Sequence, residues 1–357
     1  MKYRFTEIVK SESIATAGTR VEDLNLMKPI SRITIRVKGT NNGSTPTAHP
    51  AKICSLIEVV DGSDVIYSCS GVQAYAMNFF EMKEVPFTIN ETENNIQCCA
   101  TYHLNFGRYL WDREFALDPS KFRNLQIRIT HNKANGGSAP DAGTLAIFAH
   151  VFDDGAPNPG KFLMTKEVYD YTLTASGHEY VDLPEDFPYR KLLVQSHSGS
   201  NPLSGQVSNI KFTLDYDRVV LINDVSTSEL LKAFLPHDLV EEQLAVLGTG
   251  SAVANFIVSS YENYGVGVGR SHANAGIIVA QPSGSNINIT SDSSESAAIF
   301  VRGLSPFGAL DIMNVDETDP STWLDPRQHQ SIRLDLTGGS GASGTTQIVV
   351  HQARPYQ

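Results

Sequence analysis

The sequence predicts an all-β protein made of two tandem eight-stranded jelly rolls with a few short helices. Three observations support this prediction. Apolar and polar residues alternate with a period of two along much of the chain, helix signals are few, and one set of local patterns occurs twice in the same order. Such alternation is typical of strands that bury one face of a sheet, and eight strands with long connections favour a jelly roll.

The strand predictions come from segments in which apolar side chains alternate with polar ones. The clearest segments begin at Arg32, Leu125, Asn209 and Ile332. Each places its apolar side chains on one face and its polar side chains on the other, as in a half-buried antiparallel strand. Clusters of Gly, Asn, Pro and Ser separate the segments and predict turns.

Two helices are predicted from capping-box spacing. Ser70 is followed by Gln73, and Ser226 is followed by Glu229, so each serine has a partner three residues later. Apolar residues then line one helical face in both segments, and Pro236 ends the second.

A third short helix is predicted over residues 238–247. Asp238 is a suitable N-cap for it, and Gly248 is a suitable residue to close it.

An internal repeat indicates two copies of one β unit. The matches are 61–70 with 217–226, Phe106-Gly107 with Phe307-Gly308, 117–130 with 324–337, and two last strands that end at His150 and His351. Each match alone is weak, but four in the same order are hard to obtain by chance.

The repeat divides the chain into segments. We expect an N-terminal arm over 1–27, in which residues 1–25 lack a sustained helix or strand period. We expect a first jelly roll over 28–165 and a second over 166–357, with a linker near 153–186. The second copy carries a long insertion around 249–298, which is rich in Gly, Ser and Asn. A fold tolerates such an insertion where it need not be buried, so we expect an exposed, partly β-structured tower.

Composition narrows the class of protein. Of the 357 residues, 41% are hydrophobic and 19% are charged, which suits a folded chain with a sizeable core. The net charge of −11 argues against nucleic-acid binding by the body of the protein. We expect no secretory signal and no transmembrane helix. The four cysteines form no CxxC pair, so we expect them to be buried and reduced, in a chain made in a reducing cytoplasm.

No motif predicts catalysis or cofactor binding, and we expect none. The ten histidines form no HxH, HxxH or HExxH pattern, although metal sites need clustered ligands. The aspartates in 61–64, 153–155 and 311–319 are compatible with calcium binding or with ordinary turns, so the metal question stays open. The Gly-rich segment 265–270 lacks the spacing of a phosphate loop, and we interpret it as a flexible surface loop.

Charge is unevenly distributed along the chain. Residues 1–38 contain eight basic and four acidic residues, whereas the remainder is strongly acidic. A basic N-terminal segment on an acidic body indicates either contact with an anionic surface or an ordinary solvated terminus.

Together these features resemble the double jelly-roll major capsid proteins of the tectivirus, corticovirus and adenovirus lineage. The most similar stretches are 181–184, 188–190 and 210–231, which resemble the entry to the second jelly roll in small tailless bacteriophages with an internal membrane. The resemblance covers about 28–357, and it lies in architecture because no motif of this family is diagnostic.

The resemblance implies a structural role and no enzymatic activity. It implies a homotrimer whose six jelly rolls form a pseudo-hexagonal block in an icosahedral capsid. Its partners would be neighbouring capsomers, minor capsid or spike proteins and, through the basic arm, the viral internal membrane, with no sequence-specific nucleic acid. The protein would be made in the host cytoplasm and reside in the virion.

A second hypothesis comes from a different class of protein. Two jelly rolls also occur in secreted carbohydrate-active enzymes and in lectin-like, glycan-binding proteins. The absence of a recognisable signal and the presence of only two tryptophans, Trp111 and Trp323, argue against it.

Overall fold

The structure, a computed structural model, describes residues 2–43, 47–197, 201–234, 239–247, 253–270, 277–280, 284–291 and 296–356. Within these ranges it consists mainly of β-strands, with three α-helices and short 3-10 turns. The all-β prediction is confirmed. None of the helices in these ranges is long and apolar enough to cross a membrane.

The first jelly roll occupies the N-terminal part of the chain. Its elements are β1 (Tyr3–Ser13), β2 (Ala17–Asp23), β3 (Ile30–Thr40), β4 (Cys54–Asp61), β5 (Asp64–Cys69), α1 (Gly71–Met82), β6 (Thr88–Glu91), β7 (Gln97–Asn105), β8 (Leu125–Asn132) and β9 (Ala142–Phe152). Eight of the strands form two four-stranded arrays, in the orders β1-β9-β3-β7 and β2-β8-β4-β5. β6 adds to the first array beside β7.

The second jelly roll repeats this arrangement. Its elements are β10 (Lys161–Thr172), β11 (His178–Asp182), β12 (Tyr189–His197), α2 (Leu203–Gln206), β13 (Val207–Leu214), β14 (Val219–Ser226), α3 (Thr227–Phe234), β15 (Val240–Leu247), β16 (Val253–Ile257), β17 (Asn263–Arg270), β18 (Ile277–Ala280), β19 (Asn286–Ser291), β20 (Ser296–Gly303), β21 (Ala309–Asp311), β22 (Ile332–Gly338) and β23 (Thr345–Pro355). The orders β10-β23-β12-β21 and β11-β22-β13-β14 match those of the first copy, which confirms the double jelly roll.

The core of each jelly roll lies between its two arrays. On β3, Ile33, Ile35 and Val37 are fully buried, while the residues between them are only partly covered. β8 and β22 show the same alternation. Each fully buried aliphatic side chain contributes about 1.5–3 kcal/mol relative to an exposed one, so the alternation fixes which face of each strand points inward.

Two parallel strand pairs join the jelly rolls. β5 pairs with β10 through Tyr67 opposite Thr165, and β6 pairs with β15 through Asn90 opposite Leu244. Each pair makes one continuous eight-stranded sheet from strands of both jelly rolls. The two halves of the chain are therefore joined by backbone hydrogen bonds as well as by side-chain packing.

Most local predictions from the repeat are confirmed. Ser70 and Ser226 accept hydrogen bonds from the backbone of Gln73 and Glu229 at the starts of α1 and α3. The matched segments 117–130 and 324–337 each contain a 3-10 turn with an aspartate N-cap, followed by a strand of one jelly roll.

One of the four matches is wrong. Phe106-Gly107 follows β7, which pairs with β3, whereas Phe307-Gly308 precedes β21, which pairs with β12. The two dipeptides therefore occupy different positions in their jelly rolls. Their glycines also meet different requirements, because Gly308 has a positive φ of 67° whereas a Cβ on Gly107 would collide with the carbonyl oxygen of Phe115.

The prediction that the N-terminal arm lacks a strand pattern is also wrong. Residues 3–13 and 17–23 form β1 and β2, which supply one strand to each array of the first jelly roll. Their outward side chains are mostly exposed, and only Val9 in these two strands is buried. The weak apolar alternation that results explains why the sequence pattern did not indicate strands.

Two further predictions need correction. The linker near 153–186 contains β10 and β11, and the predicted boundary at residue 165 falls inside β10. Residues 240–247 of the predicted third helix form β15 instead, because Val240, Glu242 and Leu244 are buried while Glu241 is exposed. Asp238 and Gly248 lie outside the described residues.

The insertion is partly β-structured, as predicted. β16, β19 and β18 form a small sheet of their own, and β17 extends the large sheet beyond β20. Residues 265–270, which we interpreted as a loop, belong to β17 because they pair with β20. Residues 249–252, 271–276, 281–283 and 292–295 lie outside the described residues.

Deleting residues 1–25 should destabilise the protein, because both arrays of the first jelly roll would lose a strand and Leu24 would leave the core. We expect a loss of more than about 5 kcal/mol in the free energy of unfolding, which is comparable to the stability of a whole domain. Thermal unfolding measures this effect, and deletion of residues 1–2 is the control. An unchanged transition after the longer deletion would show that β1 and β2 are dispensable.

Candidate functional site

The junction between the jelly rolls is the most strongly constrained part of the structure. Helix α1 lies at this junction, and ten consecutive residues, 71–80, are buried. Gly71 leaves no room for a side chain, because an added Cβ would collide with the carbonyl oxygen of Ala51. Lys83 ends the helix in a left-handed conformation with φ of 60° and donates to the carbonyl of Phe79.

A charged cluster connects the end of α1 to the second jelly roll. Arg190, Lys191 and His351 are each at most 2% exposed, although the first two carry charge. The Arg190 guanidinium lies 3.5 Å from the Glu81 carboxylate and 3.2 Å from that of Glu317. The Lys191 ammonium lies 2.7 Å from the other Glu317 oxygen.

The hydrogen bonds of this cluster fix the tautomer of His351. Arg190 can only donate, so its Nη1 donates to Nε2 of His351 at 3.2 Å. The proton of the neutral ring is therefore on Nδ1, which donates to the Thr165 hydroxyl at 2.8 Å. Burial is the main reason that the pKa of His351 lies well below its ordinary value, and the positive charges of Arg190 and Lys191 lower it further.

The two carboxylates of the cluster differ in their electrostatics. Burial raises the pKa of Glu81, and the opposing attraction of Arg190 does not outweigh it. Burial also acts on Glu317, but Lys191 and Arg190 outweigh it and lower the pKa of that residue. Glu317 is thus the main anionic partner of the two buried cations.

A second buried cluster surrounds the Glu242 carboxylate of β15. His49 Nε2 and Asn90 Nδ2 from the first jelly roll each lie 2.8 Å from Oε1. Ser259 donates its backbone N–H and its hydroxyl to Oε2 at 2.7 and 2.8 Å. Because His49 Nδ1 accepts from the N–H of Ala51, the ring donates to the carboxylate through Nε2.

Four donors allow this carboxylate to stay ionised inside the protein. Burial alone would raise the pKa of Glu242, but His49, Ser259 and Asn90 outweigh burial, and the pKa is lowered. Both clusters connect charged and polar residues of the two jelly rolls. Their geometry fixes the position of one jelly roll on the other.

The residues considered from sequence for metal binding take part in turns and ion pairs. Asp61 accepts from the backbone of Arg123 and Asn124, and Asp64 pairs with Arg354 at 2.6 Å. Asp316 and Asp319 accept from backbone N–H groups two residues later, and Asp311 pairs with Lys191. In the part of the chain that the structure describes, no three potential ligands converge on a metal position.

The remaining sequence candidates are also used in packing. All four cysteines are buried and free, as predicted. Trp323 is only 5% exposed and donates to the carbonyl of Asp316, so its ring offers no surface for a sugar. Trp111 stacks on Tyr3 with ring centroids 4.2 Å apart.

The outer face of the β1-β9-β3-β7 array differs from this packed junction. Tyr3 and Phe5 on β1 are 37% and 59% exposed, and Phe5 stacks on Phe148 of β9. Arg36 lies over the same Phe148 ring, 5.5 Å from its centroid. An aromatic, basic face of this kind is a candidate contact surface.

Neither the charged cluster nor this open face was identified from the sequence. The repeat contains a signal for both, because His150 and His351 occupy matched positions on β9 and β23 and face Arg32 and Lys191 respectively. Comparing paired residues between the copies would have located them.

Two eight-stranded jelly rolls within one chain, joined along sheet edges, define the double jelly-roll fold. Solved viral capsid proteins share this fold with the chain over nearly its whole length. The major capsid protein P2 of bacteriophage PM2 matches with a TM-score of 0.57 and 10% identity, covering 99% of this chain and 98% of P2. The resemblance predicted from the sequence is confirmed at the level of fold.

Two other virus structures are similar. A chain of Sulfolobus turreted icosahedral virus matches with a TM-score of 0.58 and 11% identity, covering all of this chain and 91% of the other. A PBCV-1 capsid chain matches with a TM-score of 0.54 and 10% identity, covering 98% and 93%. No protein-family model and no curated protein sequence matches the chain.

Replacing Glu242 by alanine should strongly destabilise the protein, because His49, Asn90 and Ser259 would keep buried donors without an acceptor. We expect a loss of about 3–5 kcal/mol in the free energy of unfolding, measured by denaturant titration. Glu241→Ala is the matched control, since Glu241 forms an exposed pair with Arg302 that is worth at most about 1 kcal/mol. Equal effects of the two variants would contradict the importance of the buried cluster.

His351 should make stability depend on pH. Its pKa is lower in the folded state than the ordinary value of 6.5, so the unfolded chain binds the proton first as the pH falls. This residue should cost about 1.4 kcal/mol of stability per pH unit below 6.5. Between pH 6.5 and 5, unfolding of His351→Gln should show a correspondingly shallower pH dependence. An identical slope in both proteins would mean that His351 is already accessible to protons when folded.

Proposed function

We propose that this protein is the major capsid protein of a virus. The observation that carries the proposal is the pair of jelly rolls joined through β5–β10 and β6–β15, in a chain similar over nearly its full length to solved capsid chains. In this role the chain has no catalytic activity. Its function is to present a rigid double block whose outer faces contact other copies.

We further propose a homotrimer that contributes six jelly rolls to a pseudo-hexagonal position of an icosahedral shell. The support is internal: the two halves have the same strand order, so three chains supply six nearly equivalent units. The buried clusters around Glu242 and Glu317 support a fixed angle between the units, which such a shell requires.

As functional units we propose two jelly rolls, the first from β1 to β9 over residues 3–152 and the second from β10 to β23 over residues 161–355. The insertion around 249–298 then rises as a tower on the second jelly roll, toward the outside of the particle. It is the segment that we propose for contacts with minor capsid or spike proteins.

The class of virus and the location of the protein belong to the same proposal. We place the protein in the virion of a tailless bacteriophage with an internal membrane, after synthesis in the host cytoplasm. Arg4 and Lys10 are exposed on β1 and Lys2 is exposed immediately before it, and these three residues would supply the positive charge for an anionic membrane. Arg20 contributes less, because it pairs with Glu12 and Glu22.

Purified protein should have a mass of about three times 39.0 kDa at micromolar concentration. Obligate interfaces between subunits are large and apolar, so the trimer should persist on dilution. Light scattering coupled to size exclusion measures the mass, and electron microscopy of particles from the source tests the icosahedral shell. A stable monomer, or glycan cleavage or glycan binding by a monomer, would overturn the proposal.

A further inference from the structure

The two jelly rolls have the same strand order, but their equivalent surfaces are not equally covered. In the second jelly roll, Thr165, His351 and Lys191 lie side by side on the outer face of the β10-β23-β12 array. In the first, Phe5, His150 and Arg32 occupy the same ladder positions on β1, β9 and β3.

The exposed fractions of these equivalent residues differ sharply. Thr165, His351 and Lys191 are at most 2% exposed, because this face packs against the α1 side of the first jelly roll. Phe5, which is the counterpart of Thr165 in the first jelly roll, is 59% exposed, and His150 and Arg32 are both partly exposed. The first jelly roll therefore has an open copy of a face that is covered in the second.

On the other side of this contact, the surface of the first jelly roll is covered and the equivalent surface of the second is exposed. β5 and α1 of the first jelly roll are covered by the second, and β5 pairs in parallel with β10. Their counterparts β14 and α3 are open. Val219, Val220 and Leu221 of β14 are 43–48% exposed, and only three of the eight residues of α3 are buried.

Both open surfaces end in free strand edges. β1 and β14 are the terminal strands of their sheets in the described part of the chain, and each pairs there with a single neighbour. Exposed apolar edge strands pair readily with another strand. Within the chain, β5 pairs with β10, and these strands are the counterparts of β14 and β1. The chain therefore has two unpaired edges, β14 and β1, that could form one more contact of the same kind.

We propose that β14 of one copy pairs in parallel with β1 of a second copy, repeating between chains the β5–β10 contact within the chain. This inference rests on the proposed capsid function and names the interface that would form the trimer. The contact is head-to-tail, because β14 and β1 are different elements. Three such contacts close a ring of six jelly rolls, with the exposed side chains of β14 and β1 buried in each contact.

The internal contact also sets the register. Tyr67 lies opposite Thr165, and the ladders make Ile222 the counterpart of Tyr67 and Phe5 the counterpart of Thr165. Ile222 of one copy should therefore lie opposite Phe5 of the next. Neighbouring strands of a sheet lie close enough for a disulfide to join this pair of positions.

The first experiment is oxidative cross-linking of the double variant Phe5→Cys/Ile222→Cys. The four native cysteines are buried, so they should not interfere. We expect a covalent ladder on non-reducing gels that ends at the trimer, and no cross-linking of either single variant. A dimer from a single variant would indicate a contact of one edge with itself, and species beyond the trimer would show that the contact does not close. Either result overturns the proposal.

The second experiment places a charge on the edge. Val220→Lys should convert the trimer to a folded monomer at micromolar concentration, with an unchanged circular dichroism spectrum. Tyr180→Lys on β11 is the matched control, because Tyr180 and its counterpart Val21 are 61% and 42% exposed, so the internal contact covers neither. A Val220→Lys protein that remains trimeric would overturn this interface but leave the capsid proposal intact. A monomeric unmodified protein would overturn the capsid proposal itself.

Discussion

The requirement that sheet edges be paired or covered governs this structure. A jelly roll has two sheets and therefore exposed edges, which are a liability in solution. In the first jelly roll the second half of the chain covers two of these edges, through β5–β10 and β6–β15. The relative position of the two halves is thus set by backbone hydrogen bonds whose spacing allows little variation.

Buried charge makes this junction specific. Apolar contact alone would tolerate sliding of one jelly roll on the other, whereas a displaced Arg190 or Glu242 would lose its partners while remaining buried. Breaking a buried ion pair costs several kcal/mol, while forming it adds little net stability. We therefore attribute to these clusters the selection of one arrangement rather than the strength of the association.

The fold was predictable from sequence because its main signals are local. Alternation identified β3, β8, β13 and β22, and capping boxes identified α1 and α3. β1 was missed because most of its side chains face solvent, and β15 was misread because a buried glutamate, Glu242, interrupts its apolar face.

The candidate site was harder to predict because its partners are distant in sequence. His49 and Glu242 are 193 residues apart, and Arg190 and Glu317 are 127 apart. No spacing rule joins such residues. The internal repeat carried the relevant information, but only the paired ladders show which residues of the two copies correspond.

The position of β23 at the end of the chain has a consequence for folding during synthesis. The first jelly roll has all of its strands once β9 has left the ribosome, but β10 needs β23, the last strand, as its other neighbour. About 190 residues separate the end of β9 from the start of β23, and their synthesis takes roughly 10–40 s at ordinary translation rates. During that interval the edge of β5 and the apolar surface of α1 lack their final cover. Slower translation would therefore lengthen the time in which nascent chains can aggregate.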